Sequence, residues 1–320
     1  MSPRETFRDF MARALYDPEK GYYMQASHPA APDRDYVTAS QHPLFAACMA
    51  RFLQGSCKDI PLPALADVGA GSGAFLLNLI AFLDKDDPAL LERLHFYAVE
   101  KVRRIRHPKV HHILNLQDLP RIEGCIFSFE LFDALPCHAM VQEADGLKEL
   151  YVQDGAFAPG PLSDPRLSEC IERFRIPPKP GQRFEICLEA GPLYERMASK
   201  LGRGALLTFD YGSKASTLYR PSIYPDGTLM SHSEHHFDRE VLKNPGRKDI
   251  TYAVNFTDLI EEGEQLGLKT KDLRSLSAFL SDAGAGLPFE MLLAGPFPAR
   301  DLLFGAIGQD IKVLIQHTAG

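Results

Sequence analysis

A chain of 320 residues with 45% hydrophobic and 24% charged residues has an ordinary globular balance and enough apolar material for one large or two small domains. A net charge of −7 and a pI near 5.9 argue against nucleic acid as a partner. No apolar run approaches the ~20 residues that membrane insertion as a helix requires. The six cysteines form no C-x-x-C pair, which argues against a zinc ribbon and for reduced structural thiols.

The opening Met1-Ser-Pro-Arg-Glu-Thr6 carries no apolar signal core, so a cytoplasmic location is the default expectation. Residues 5–15 read as an amphipathic helix, with Phe7, Phe10, Met11, Ala14 and Leu15 on one face. Asp17 to Tyr23 read as a turn and residues 25–36 as a loop. Pro43 to Leu53 read as a second helix.

From Leu65 the pattern changes to that of an open α/β sheet. Leu65 to Val68 are a short apolar strand, Gly69, Gly71 and Gly73 crowd a turn, and Phe75 to Phe82 continue as an apolar helix. Strand, glycine turn and helix form a nucleotide site in such sheets, because glycine takes φ > 0 and lets a ligand approach the backbone. Gly69-x-Gly71-x-x-Ala74 satisfies the dinucleotide fingerprint. Asp67-x-Gly69-x-Gly71-x-Gly73 fits an S-adenosylmethionine (SAM) turn better, with Gly69, Ala70, Gly71 and Gly73 around the cofactor. His95 to Glu100 is an apolar run ending in a carboxylate, placed to accept hydrogen bonds from ribose hydroxyls. Gln117 and Asp118 follow the next strand candidate, 110–114, where adenine contacts are expected.

Further strands are expected at 124–129, 139–143, 149–153, 184–188 and 205–209, with a hairpin turn at 144–146. A short helix is expected at 167–174, and another over 193–201 that Gly202-Arg-Gly204 would stop. Residues 213–250 lack a sustained period, as a lid or a functional segment does. Helices at 256–266, 275–284 and 298–306 and a strand from Ile311 close the chain. These elements imply an α/β, Rossmann-like sheet with helices on both faces, of the class I methyltransferase type if the glycine turn holds SAM. The expected division is an N-terminal helical cover at 1–59, a core at 60–212 and 251–320, and an inserted cover at 213–250. His232, His235 and His236 lack a companion thiolate or carboxylate set, so no metal site is expected.

Several stretches match a known family in order. They are Asp9-Phe-Met11 to Asp17-Pro-Glu-Lys-Gly-Tyr-Tyr23, Asp35-Tyr-Val-Thr-Ala39, Ser128-Phe-Glu-Leu-Phe-Asp-Ala-Leu-Pro136, Asp210-Tyr-Gly212, Gly227-Thr-Leu229, His235, Asp249-Ile-Thr-x-x-Val-Asn-Phe256 and Ile311-Lys-Val-Leu314. The chain resembles the MidA-like family of SAM-dependent methyltransferases, which includes a complex I assembly factor that methylates a protein arginine. The resemblance implies SAM as cofactor and a protein substrate, with a respiratory-complex subunit as the partner class. It also implies catalytic roles for Glu130 and Asp133, with His235 as a lid or substrate contact. The family's Asn before the strand-four Glu is Phe129 here, and its Pro and Arg in the glycine turn are Ala70 and Ser72. These departures, with no leader resembling a presequence, suggest a divergent bacterial member. Two other readings stay open at this point: a SAM-binding assembly chaperone with little turnover, and a nicotinamide-dependent dehydrogenase.

Overall fold

The computed structural model describes residues 4–24, 38–102, 105–233, 236–287 and 295–319. It divides into two compact units, each assembled from three stretches of chain.

One unit comprises Val37–Leu131, Tyr194–Tyr211 and Ile260–Gly320. Its sheet runs in the order Leu268–Ser275, Ile311–Thr318, Leu201–Ser213, Ile122–Phe129, Ala64–Val68, His95–Val99, Val110–Ile113. The last five of these are mutually parallel, while Ile311–Thr318 is antiparallel to both of its neighbours. All five residues of Ala64–Val68 are buried, Asp67 among them, as in a strand covered on both faces, so the strand shows no alternation of buried and exposed positions. The chain winds outward from Ala64–Val68 in both directions. Its carboxyl end is therefore the topological switch point where open α/β sheets bind ligands.

One face of this sheet is covered by the helices Pro43–Ser56, Ala74–Asp86 and Leu276–Ala283. Phe45 is the hub of the aromatic layer between them, with ring centroids 5.2–5.9 Å from those of Phe75, Phe127, Phe129 and Phe209. The helix Pro43–Ser56 begins with proline at its first turn, and the His42 ring caps it by accepting the Leu44 N–H at Nδ1. The opposite face holds a buried polar set: Tyr194 Oη donates to Gln316 Oε1 at 2.6 Å, and Gln316 Nε2 donates to Ile260 O and Thr270 Oγ1.

The other unit comprises Met1–Tyr36, Phe132–Leu193 and Gly212–Leu259. Its main sheet is antiparallel. Gly146–Gln153 pairs with Glu5–Thr6, His138–Glu143 and Ala156–Gly160, and His138–Glu143 also pairs with Arg183–Ile186. Phe7, Phe10, Met11, Ala14 and Leu15 of the first helix, Phe7–Tyr16, bury against Cys137, Ala139, Val141, Leu150 and Val152 of this sheet. A second sheet joins His236–Asp238, Met230–Ser233 and Asp249–Thr251.

Several sequence expectations change here. The helix Pro43–Ser56, expected in an N-terminal cover, packs in the core of the parallel-sheet unit, and residues 132–193, expected in the core, belong to the other unit. The helix expected over 193–201 spans Ala190–Ser199, and Gly202 and Gly204 do not stop it but lie in the strand Leu201–Ser213. A Cβ built at Gly204 would lie 1.9 Å from the Gly124 carbonyl oxygen, so this glycine marks close strand approach. Residues 213–250 hold a short helix, Ala215–Leu218, and three strands of three or four residues, too short to show a period.

Candidate cofactor site

The glycine turn lies at the carboxyl end of Ala64–Val68. Gly69, Gly71 and Gly73 all have positive φ, at 81°, 52° and 74°. The N–H groups of Gly69 and Ala70 donate to Val99 O at 2.9 and 3.4 Å, which fastens the turn to the end of the adjacent strand. Gly73 then stands at the N-cap of Ala74–Asp86, donating its N–H to Ala70 O.

The three glycines are small for different reasons. A Cβ at Gly69 would lie 2.9 Å from Leu131 Cδ1, and one at Gly73 would lie 2.3 Å from Ile105 Cδ1. Packing against Ile105 therefore excludes a side chain at Gly73, whereas at Gly69 the tip of Leu131 can yield and the left-handed φ is the stronger constraint. A Cβ at Gly71 would meet nothing within 4 Å. Gly71 thus lines an open cradle, and a side chain there would fill it.

Two carboxylates flank this cradle. Glu100 Oε2 accepts the Gly71 N–H at 3.0 Å, and Oε1 accepts the Val102 N–H at 3.3 Å. Asp67, on the buried strand, is pushed up to about 8 by burial and by the nearby Glu100 charge. Its carboxyl group is largely protonated at neutral pH, and the site carries correspondingly less negative charge.

Gln117 and Asp118 make no hydrogen bond to the glycine turn. Both are exposed in the short 3-10 turn Leu116–Asp118. The Gln117 carbonyl accepts from Lys200 Nζ at 2.6 Å, and the Lys200 carbonyl accepts the Ile122 N–H at the amino end of the parallel strands. Asp118 is tied to Asn115, its Oδ2 accepting from Asn115 Nδ2 at 3.4 Å and its N–H donating to Asn115 O at 2.9 Å. The residue that leaves the carboxyl edge is Asn115, two positions after Ile113, whose carbonyl accepts the Glu100 N–H.

Glu130 follows the strand Ile122–Phe129 and has φ 49°, one of four described non-glycine residues with positive φ. Non-glycine residues in this region are uncommon and cluster at functional sites. Asp133 lies in the other unit and is buried. It sits in a turn closed by Leu135 N–H to Phe132 O. Its carbonyl accepts the Tyr252 N–H at 3.2 Å, and Tyr252 Oη donates to Phe132 O. His235 lies outside the described residues.

Two family motifs gain a physical meaning. Phe129 stacks on Phe209 with centroids 5.7 Å apart and belongs to the aromatic core, so the departure at this position is absorbed by packing. In Gly227-Thr-Leu229, Thr228 donates its N–H and Oγ1–H to the buried carboxylate of Glu185, and its Oγ1 accepts the Ala253 N–H. A Cβ at Gly227 would lie 2.3 Å from Glu185 Oε1, so glycine is required. Among the described residues, no group of three or more His, Cys, Asp or Glu could hold a metal. No described helix is long and apolar enough to cross a membrane.

Five parallel strands, an antiparallel strand inserted before the edge, and a glycine turn bonded to a strand-end carboxylate define the class I methyltransferase form of the Rossmann-like fold. The family model Methyltransf_28, of S-adenosyl-L-methionine-dependent methyltransferases, matches residues 44–273, most of the chain, and the chain belongs to that family. Its cofactor is SAM, and the open cradle at Gly71 beside Glu100 fits such a group. The dehydrogenase alternative is thereby set aside.

The protein arginine methyltransferase NDUFAF7, mitochondrial, of Xenopus tropicalis is 25% identical over 295 residues, covering 78% of this chain and 65% of that protein. The human protein of that name is 26% identical over 159 residues, covering 45% of this chain and 32% of its own. The chain thus spans less than two thirds of the length of these curated relatives. A Burkholderia thailandensis protein solved with S-adenosyl-homocysteine shares the fold at TM-score 0.80 and 24% identity, over 98% of this chain and 88% of that one. A native crystal structure from the same organism matches at TM-score 0.81 and 25% identity, over 98% and 87%.

Proposed function

We propose that the protein transfers the methyl group of SAM to a protein side chain, an arginine guanidinium. The observation that carries the reading is the Gly71 cradle: an open, positive-φ position whose N–H is held by Glu100 at the switch point of the sheet. When bound, the cofactor supplies a methyl group already activated by its sulfonium. The protein then has to position the acceptor and exclude water. In this reading Gly69, Ala70, Gly71 and Gly73 form the cofactor's turn and Glu100 holds its ribose. Glu130 is the carboxylate that pairs with the acceptor guanidinium and orients one nitrogen toward the methyl group. Asp133 and His235 are proposed acceptor contacts.

The arginine acceptor is supported by the names of the curated relatives and by the chemistry of a strained strand-end carboxylate. A respiratory-complex subunit is the acceptor class that the family resemblance favours. The test is transfer from methyl-labelled SAM to proteins of a bacterial lysate, with methylarginine identified by mass spectrometry of the labelled band. Label appearing as methylarginine supports the proposal. Tight SAM binding with no label in any protein would replace it with the assembly-chaperone reading.

A further inference from the structure

No helix follows the strand Ile122–Phe129; the chain leaves it through Glu130 and Leu131. The parallel pairing with Leu201–Ser213 ends at Phe209 opposite Phe129. Beyond that point the Glu130 N–H still donates to Phe209 O at 2.9 Å. The left-handed φ of Glu130 then turns the backbone out of the ladder. The next donor, Leu131 N–H, is taken by a side chain: Asp210 Oδ2 accepts it at 3.1 Å. Asp210 Oδ1 accepts the Tyr211 N–H at 3.0 Å.

Asp210 is fully buried. A carboxylate in that position is costly unless hydrogen bonds compensate it, so its two backbone partners are part of why it can be there. The held residue also touches the cofactor turn, since Leu131 Cδ1 lies against Gly69. One buried side chain thus ties down the exit of a strand whose first residue is left-handed and whose second packs on the glycine turn.

We infer that Asp210 is the positioning residue of Glu130, its carboxylate fixing the Glu130–Leu131 backbone so that the Glu130 side chain is presented at the carboxyl edge. The inference rests on the proposed role of Glu130 in transfer. Asp210→Asn keeps the shape but turns an amide donor toward one of the two N–H groups. In that variant the maximal transfer rate to the labelled acceptor should fall about tenfold or more. The S-adenosyl-homocysteine affinity should change far less than the rate, because Leu131 meets the turn only through the tip of its side chain. Because the effect acts through Glu130, Asp210→Asn should add little to the loss already caused by Glu130→Gln. Amide hydrogen exchange in the unaltered protein supplies a measurement that needs neither acceptor nor variant. The Leu131 amide should be strongly protected, as a donor to a buried carboxylate is. Wild-type transfer by Asp210→Asn, an equal loss in both backgrounds, or an unprotected Leu131 amide would overturn the inference. An unaltered protein that transfers nothing counts against the proposed function, and the exchange measurement then still decides whether the clamp exists.

Discussion

The Glu100 carboxylate bonds the backbone of the glycine turn itself, accepting the Gly71 N–H at 3.0 Å. It therefore serves twice, as a brace for the turn and as an acceptor group beside the cradle. Glu100→Ala removes both contributions. SAM affinity should weaken by about 1.5–3 kcal/mol, the range for hydrogen bonds to a charged group. Calorimetric titration checks this, and unchanged affinity would assign the ribose to another group.

Gly71 and Gly73 should fail in opposite ways. Gly71→Val places a β-branched side chain in the cradle at a φ it tolerates poorly, at a strain of about 1–3 kcal/mol. Binding of S-adenosyl-homocysteine should vanish while the protein stays folded. Gly73→Ala drives a methyl group into Ile105, so its main effect should be a lower melting temperature. Thermal denaturation alongside titration separates the two; a Gly71→Val protein that binds normally would remove this turn from the site.

Asp67 sets a pH dependence whose sign follows from its raised value. The unfolded chain releases this proton near the ordinary 3.8, but the folded protein keeps it until about 8. Between those values the folded state binds more protons than the unfolded one. The contribution of Asp67 to stability is therefore full at low pH, declines as pH rises toward 8, and is level beyond. Asp67→Asn cannot titrate. Its melting temperature relative to wild type should be higher at pH 8.5 than at pH 5, with both measured without cofactor. Parallel pH profiles for the two proteins would show that Asp67 ionises normally.

Glu130→Gln retains shape and loses charge. SAM affinity should be normal, and transfer to the labelled acceptor should fall at least about tenfold, roughly 1.4 kcal/mol in the barrier. A guanidinium is protonated at neutral pH and is a poor nucleophile, so it gains from a fixed carboxylate. Full activity in Glu130→Gln would take the catalytic role away from this residue.

The parallel strands were legible because they are short, apolar and punctuated: Ala64–Val68 and His95–Val99 fall within one residue of their expected bounds. Leu268–Ser275 was not, and the reason is physical. It is the edge strand of the sheet, only Leu268 in it is buried, and its Lys269, Lys271, Asp272 and Arg274 give it the charge that protects an exposed edge. Gly202 and Gly204 misled because a glycine that stops a helix and one that admits a neighbouring strand look alike in sequence. The glycine turn was readable from Gly69, Gly71 and Gly73 between a strand and a helix, and the strand-end position of Glu100 from the apolar run it closes. The clamp of Asp210 on Leu131 was not, since it joins residues 79 apart.

The strand Ile311–Thr318 lies inside the sheet, between Leu201–Ser213 and Leu268–Ser275. In chain order it follows every other strand of this sheet. Until it is made, Leu201–Ser213 presents an open apolar edge along Leu206 to Phe209, a template for pairing with other nascent chains. Sheet closure thus waits until all the other strands of this sheet have been made. A ribosome that stops before Ile311 would release a polypeptide prone to aggregate rather than a shortened enzyme.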